Sequence, residues 1–236
     1  MRKLLFLAVV LLVPFGARAA SFQVNPIRVT LSAPRSTDVL RVTNSSDSST
    51  VVQMQIVAWT QANGADAYTP SRNLLATPPI FTVAPGGEQI VRIGMRTSPD
   101  AKRETCYRLF LTEVPPPPEP GFRGVQIALR IGIPVFVEPA VATAPDLHWS
   151  ARRVSASELE ISAVNSGTAH AEILKLSVTV AGRSTPIVKE FGGYVLPGAT
   201  HTWTIKPAAP LPTNVSLDIN ADTDRGSFHA QVLPGA

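Results

Sequence analysis

Apolar and polar residues alternate at period two along most of this chain. Residues 24–31, 39–43, 51–59, 89–95, 107–114 and 125–137 each place apolar side chains on one face of an extended segment, the pattern of a half-buried strand. Clusters of turn formers separate them: Asn44-Ser45-Ser46-Asp47, Asn63-Gly64, Pro85-Gly86-Gly87 and Ser98-Pro99-Asp100. No stretch holds a 3.6-residue period with caps. The pattern predicts an all-β protein of short strands packed as a sandwich.

The second half repeats the first. Leu159-Glu160-Ile161-Ser162-Ala163-Val164 runs into Asn165-Ser166-Gly167, as residues 40–43 run into Asn44-Ser45-Ser46. Val195-Leu196-Pro197-Gly198 leads to Trp203-Thr204-Ile205, as Val83-Ala84-Pro85-Gly86 leads to Val91-Arg92-Ile93. Two similar sandwiches are therefore expected, over residues 20–138 and 139–236. The boundary falls at Glu138-Pro139-Ala140, where a proline that cannot donate to a ladder is a natural stop for a strand.

Composition narrows the class. The chain has 22 prolines among 236 residues, and proline breaks helix interiors. Hydrophobic residues make up 44%, enough for packed cores. The single cysteine, Cys106, excludes an internal disulfide and any Cys-based zinc finger. It sits in the apolar run Cys106-Tyr107-Arg108-Leu109-Phe110, where a small buried hydrophobe is expected. Residues 1–19 read as a secretory signal peptide. Arg2 and Lys3 precede an apolar run from Leu4 to Phe15, and Ala17-Arg18-Ala19 supplies the cleavage pattern. That apolar run is shorter than the roughly 20 residues a membrane-spanning helix needs, so no membrane insertion of the mature chain is expected. The net charge of +4 is largely a property of this segment. Arg2, Lys3 and Arg18 carry three of the 21 positive charges, and without them the excess over 17 acidic residues falls to one. No basic stripe remains for nucleic acid. His148, His170, His201 and His229 form no H-E-x-x-H, and neither a G-x-S-x-G elbow nor a Walker loop occurs. No enzyme, metal site or cofactor is expected.

One segment suggests a mechanism. From Val125 to Val137 every odd position is apolar: Val125, Ile127, Leu129, Ile131, Ile133, Val135 and Val137. The run is long against a usual strand of about 5–6 residues. Pro134 within it argues for a sheet edge or a bulge. A long apolar edge invites pairing with another chain, and lending such a strand to a partner is β-augmentation. The preceding Pro115-Pro116-Pro117-Pro118-Glu119-Pro120-Gly121 reads as a stiff loop that presents it.

Several words in order resemble the periplasmic pilus-assembly chaperones, the PapD-like family. They are Asn25-Pro26-Ile27-Arg28-Val29, the run from Ala76 to Gly86 followed by Val91-Arg92-Ile93, the run from Tyr107 to Pro116, and Gln126-Ile127-Ala128-Leu129. The resemblance implies two immunoglobulin-like sandwiches in an L or boomerang arrangement, with no enzymatic activity. It implies a periplasmic protein that binds pilin subunits by donor-strand complementation and delivers them to an outer-membrane usher. Val125, Ile127, Leu129 and Ile131 would then fill the subunit's groove. In this family an arginine on the first strand, matched by Arg28, helps to anchor the subunit's terminal carboxylate. The lysine that usually assists it is replaced by Pro134. Glu138 stands where an arginine usually ties the domains together. These departures resemble the archaic branch, which builds spore-coat-protein-like pili, and they leave Arg92, Arg96, Lys102, Arg103 and Arg108 as further anchor candidates. The alternative is an exported two-domain immunoglobulin-like binding or adhesion module, with the long strand buried in its own sheet. Leu129→Asp should separate the two, sparing the fold only if the strand is lent.

Overall fold

The computed structural model describes residues 22–118, 120–121, 123–155, 157–182, 184–207, 210 and 215–235, residue 191 by its backbone alone. The predicted signal peptide, residues 1–19, lies outside the described residues. Every helix or strand assigned among the described residues is a strand.

The first half holds β1 (Phe22–Asn25), β2 (Val29–Leu31), β3 (Thr37–Asn44), β4 (Thr50–Ala62), β5 (Ala65–Pro70), β6 (Leu74–Thr77), β7 (Ile80–Val83), β8 (Glu88–Met95), β9 (Thr105–Val114) and β10 (Arg130–Val137). One sheet runs β1-β3-β8-β6. The other runs β2-β10-β9-β4-β5, with β7 also on β4. Alternate side chains of both sheets meet in one core, in which Val29, Leu31, Leu40, Ile93, Leu109 and Leu111 are fully buried. Each such side chain stabilises the fold by about 1.5–3 kcal/mol. The second half holds β11 (Leu147–Ser155), β12 (Glu158–Asn165), β13 (Ala171–Val180), β14 (Ile187–Val195), β15 (Thr200–Ile205), β16 (Leu217–Thr223) and β17 (Gly226–Val232). Its sheets are β11-β12-β15 and β14-β13-β16-β17. They enclose a separate core around Leu159, Ile161, Ile173, Leu176 and Trp203. The buried Trp203 Nε1 donates to the Gly192 carbonyl at 2.6 Å, so the indole is buried without leaving its N–H unpaired.

Two predicted strands are divided by their surroundings. Residues 24–31, which read as one run, become β1 in one sheet and β2 in the other, with Pro26-Ile27-Arg28 carrying the chain across. Pro26 has no N–H to continue a ladder. Residues 125–137 also read as one strand, but regular pairing starts only at Arg130. The β4–β5 hairpin turns at Asn63-Gly64, with φ of 53° and 78°, the two left-handed residues that a two-residue hairpin favours.

Candidate functional site: an open strand edge and the cleft between the sandwiches

Strand β10 pairs with β9 along its whole length, from Arg130↔Thr112 to Val137↔Thr105. On its other side it pairs with β2, and only at Val135↔Val29, Phe136↔Thr30 and Val137↔Leu31. Among the described residues, the edge from Arg130 to Pro134 therefore has no strand beside it. Glu113 N donates to Leu129 O at 2.8 Å, which turns the Leu129 carbonyl toward β9. Antiparallel alternation then points the backbone groups of Arg130, Gly132 and Pro134 outward. Pro134 thus occupies a position whose N–H would face the open edge, and the β9 ladder loses nothing by its absence.

The odd side chains form a gradient along this strand. Ile133 and Val135 are buried in the first core, and Ile131 and Leu129 pack partly against it. Ile127 and Val125 are 84% and 86% exposed. Upstream of Leu129 the backbone leaves the sheet. Leu129 N still donates to Glu113 Oε2 at 3.1 Å, and Gln126 Nε2 donates to Pro116 O at 2.9 Å, tying the exposed segment to the proline loop. The half-buried Leu129 is consequently a poor probe of the lent-strand idea, because an aspartate there would also disturb the chain's own core. Ile127 is the clean one.

Arg28 sits where the open edge ends. It directly precedes β2, the strand that closes the edge at Val135. Its Nη1 donates to Asp224 Oδ2 at 2.9 Å, and its Nη2 is paired with Glu172. Both acids belong to the second sandwich. The guanidinium lies 6.0 Å from the centroids of the Phe136 and Tyr194 rings. Arg103 is at the rim of a cleft of about 420 Å³ between the sandwiches, beside the turn at Gly198. A methyl group there would lie 2.9 Å from Arg103 Nη1. Arg92 and Arg96 line a separate hollow with Thr37 and Leu75. Arg92 alternates with the buried Val91 and Ile93 and so faces outward from the β1-β3-β8-β6 sheet, the sheet that does not contain β10. Of the six anchor candidates, Arg28 stands at the end of the open edge, and Arg108, opposite Pro134 on β9, lies beside it, its side chain next to Gly132. Arg92, Arg96 and Arg103 are not brought to this edge.

Behind Arg28 lies a set of residues that the sequence does not announce. Phe136 points away from the first core and joins Trp59 and Cys106 against Leu196, Ala199 and Tyr194 of the second sandwich. Gln61 bridges the halves with both ends of its amide: Nε2 donates to Tyr194 O at 2.7 Å, and Oε1 accepts from Leu196 N at 3.0 Å. Arg108 lies 3.8 Å over the Trp59 ring, a cation–π geometry. His170 stacks on Phe136 with centroids 3.6 Å apart. Its Nδ1 is 2.6 Å from Glu104 Oε1, and its Nε2 is 3.6 Å from Asp224 Oδ2. Burial opposes the charge on His170, but Asp224 and Glu104 outweigh it and raise the pKa above the ordinary 6.5. Burial likewise opposes the charge on Asp224, which His170 and Arg28 nevertheless hold below the usual carboxylate range. Burial, with Glu104 alongside, pushes the Cys106 thiol well above 9.0. Among the described residues no group of three or more His, Cys, Asp or Glu is placed to hold a metal ion. His170 carries one faint sequence signal: it stands between the small apolar residues Ala169 and Ala171 at the start of a strand, where a buried histidine needs an acid from elsewhere.

Two immunoglobulin-like sandwiches, with an open strand edge that ends where Arg28 bridges to the second of them, define the class of protein. The chain belongs to the PapD-like pilus-assembly chaperone family: residues 21–142 match the family described as "Pili and flagellar-assembly chaperone, PapD N-terminal domain". It is 30% identical over 139 residues to the uncharacterized fimbrial chaperone YcbF of Escherichia coli K12, covering 58% of each chain. It is 35% identical over 82 residues to the chaperone protein PapD of Escherichia coli, covering 32% of this chain and 33% of that one. The chain thus spans little more than half of the first of these relatives and a third of the second. In fold it is similar to the chaperone–adhesin complex CsuC–CsuE from archaic Csu pili of Acinetobacter baumannii. The TM-score is 0.69 at 20% identity, covering 92% of this chain and 100% of the other. The SafB chaperone with SafA pilin of Salmonella enterica matches with a TM-score of 0.60 at 22% identity, over 90% of this chain and 97% of that one.

Proposed function

We propose that this protein is a periplasmic chaperone that holds pilus subunits by lending them a strand and passes them to an outer-membrane usher. Residues 20–138 act as the subunit-binding domain and 139–236 as the second domain. The observation that carries this is the edge of β10. It is open from Arg130 to Pro134, runs upstream into the exposed Val125 and Ile127, and stops at β2, with Arg28 at the stop. A subunit strand laid along this edge gains main-chain hydrogen bonds from the outward-facing groups, and Val125, Ile127, Leu129 and Ile131 enter its incomplete core. Its terminal carboxylate reaches Arg28, whose fork suits a carboxylate, in exchange for Asp224 or Glu172. Arg92, Arg96 and Arg103 remain secondary anchor candidates, and Arg103, at the cleft rim, is the nearer of these to the second sandwich. The departures at Pro134 and Glu138 favour a reading in the archaic branch, and the fold similarity to CsuC is in keeping with it. The work is binding rather than bond-making, and no catalytic group, metal or cofactor is invoked.

The test is co-expression with the pilin subunit of the same gene cluster. Wild type should protect the subunit from proteolysis and co-purify with it. Ile127→Asp should keep the wild-type thermal midpoint and lose the complex. A folded Ile127→Asp protein that still captures the subunit at wild-type yield would overturn the proposal.

A further inference from the structure

His170 is the buried titratable group that the strand-lending mechanism does not use. Its surroundings are specific. Glu104, just before β9 in the first sandwich, faces Nδ1 at 2.6 Å and also accepts from the His170 backbone N–H at 3.2 Å. Asp224, just after β16 in the second sandwich, faces Nε2 at 3.6 Å. The side chains of His170 and Glu104 are 3% and 0% exposed. Glu104 Oε2 and His170 Nε2 are buried without a hydrogen-bond partner. The remaining groups around the cluster are Arg28 on Asp224, Glu172 on Arg28, Cys106 on Glu104 at 3.6 Å, and the Tyr194 ring 5.7 Å from the imidazole.

An imidazole with a carboxylate at each nitrogen has one comfortable protonation state. Imidazolium donates from both nitrogens, whereas neutral histidine donates from one and turns a lone pair toward the other acid. The charge tally agrees. Glu104, Asp224 and Glu172 stand against Arg28 and His170, so losing the histidine proton leaves three acids against one cation in a largely dry place, a costly arrangement. We propose that His170 is a proton-dependent latch between the two sandwiches, tying Glu104 of one to Asp224 of the other when charged and loosening the joint when neutral. Because Asp224 also holds Arg28, the latch sets how firmly Arg28 is gripped at the end of the open edge.

The sign follows from linkage. A histidine whose pKa is higher in the closed, folded state than its ordinary 6.5 contributes stability that is fully present below 6.5 and lost as pH rises through the higher value. Two other groups bound the useful window. His201, lowered by its own burial, contributes in the opposite sense on the acid side, and the Cys106 thiol matters only above 9.0. The difference between wild type and His170→Gln, from about pH 6 to 8.5, removes both.

The experiment is a pH series on the full mature chain, with histidine resonances followed by NMR and overall dimensions by small-angle scattering. The His170 midpoint should lie above 6.5 and drop in Glu104→Gln. The wild-type radius of gyration should grow across the window, while His170→Gln stays at the larger value throughout. A wild-type midpoint at or below 6.5, or equal expansion of wild type and His170→Gln, would overturn the latch. If His170→Gln does not fold, the wild-type and Glu104→Gln titrations decide alone: an unchanged midpoint in Glu104→Gln also overturns it. None of these measurements involves a pilus subunit, so they stand apart from the proposed function.

Discussion

Asn44 and Asn165 make a matching core of bonds in the two sandwiches. Asn44 Nδ2 donates to Ser48 O at 2.7 Å and Val83 O at 2.9 Å, and its Oδ1 accepts from Ser46 N at 2.9 Å. Asn165 Nδ2 donates to Ala169 O at 2.8 Å and Val195 O at 3.0 Å, and its Oδ1 accepts from Gly167 N at 3.0 Å. Both are fully buried, and both backbone N–H groups reach across to the Pro-Gly turn, at Gly87 O and Ala199 O. Each side chain closes its own turn and pins a distant strand end. Replacing Asn44 with alanine orphans two carbonyls and one backbone N–H; replacing Asn165 orphans two carbonyls and the N–H groups of both Gly167 and Asp146. At about 1–3 kcal/mol for an unsatisfied buried group, each substitution should cost about 2–4 kcal/mol, with similar values in the two halves. Urea unfolding of Asn44→Ala and Asn165→Ala measures this, and a loss under about 1 kcal/mol in either would deny that asparagine its pinning role.

This repeat was legible because turn chemistry is local: Asn before a small polar pair and Val-x-Pro-Gly both survive as short words. The strands were legible for the same reason, since alternation needs only a few neighbours. What could not be read depends on partners. The odd positions from Val125 to Val137 keep one parity throughout, and nothing in them marks Arg130 as the first residue with a strand beside it. The cluster at the joint is further from view. Arg28, Glu104, His170 and Asp224 have no common spacing, and they meet only because two sandwiches pack. The sequence offered five arginines and one lysine as anchor candidates with little to rank them. Their placement separates them, because Arg92 faces outward from the wrong sheet and Arg28 abuts the open edge.

The gradient of burial along β10 and the segment before it should appear as a gradient of stability. Ile127→Asp should be within about 0.5 kcal/mol of wild type, as for other exposed substitutions. Ile133→Asp buries a charge without a partner and should prevent folding or cost more than about 4 kcal/mol. Leu129→Asp should fall between. Denaturant midpoints for the three variants check the order, and a large loss at Ile127 would mean that the free chain folds this segment back onto itself.

Gly167 is a steric requirement. A Cβ there would lie 2.3 Å from Ala144 O and 2.5 Å from Asp146 N, backbone atoms of the segment entering the second sandwich. That segment is held by Ser166 N donating to Asp146 O and Thr168 N donating to Ala144 O. Gly167→Ala must displace the crossing, with a loss of about 2–4 kcal/mol expected, in the range of overpacked sites. The comparison is Gly121→Ala, where a Cβ meets nothing within 4 Å but φ is +84°. Strain alone there costs about 1–2 kcal/mol. Thermal midpoints should therefore fall further for Gly167→Ala, and the reverse order would remove the steric argument.

Cys106 should be chemically silent in the folded protein. Its burial and the neighbouring Glu104 raise the thiol pKa well above 9.0, and the thiolate is the reactive form. Alkylation at pH 8 should be negligible without denaturant and fast in it. Since the folded state holds the proton more tightly than the unfolded chain, stability should also decline as pH rises past about 9, and Cys106→Ser should flatten that decline. Rapid alkylation of the native protein at pH 8 would show that the joint between the sandwiches opens on its own.

Removing Arg28 should act on two observables with different pH dependence. Subunit capture should weaken at every pH at which the pilin carboxylate is ionised, because the fork at the end of the open edge is gone. Stability should change in a narrower way. Arg28 is one cause of the depressed Asp224 pKa, and a lowered carboxylate contributes stability above its ordinary 3.8 that is lost as pH falls through the folded value. Wild type should therefore exceed Arg28→Ala at pH 7 and converge with it below about pH 4. The guanidinium is 34% exposed, so solvent screening limits the difference to about 1 kcal/mol. Arg28→Lys should recover much of this stability, because one charge still faces Asp224 and Glu172, but little of the capture if the subunit carboxylate is held by both arms of the fork. Equal rescue of both observables by lysine would show that Arg28 acts on the subunit as a point charge.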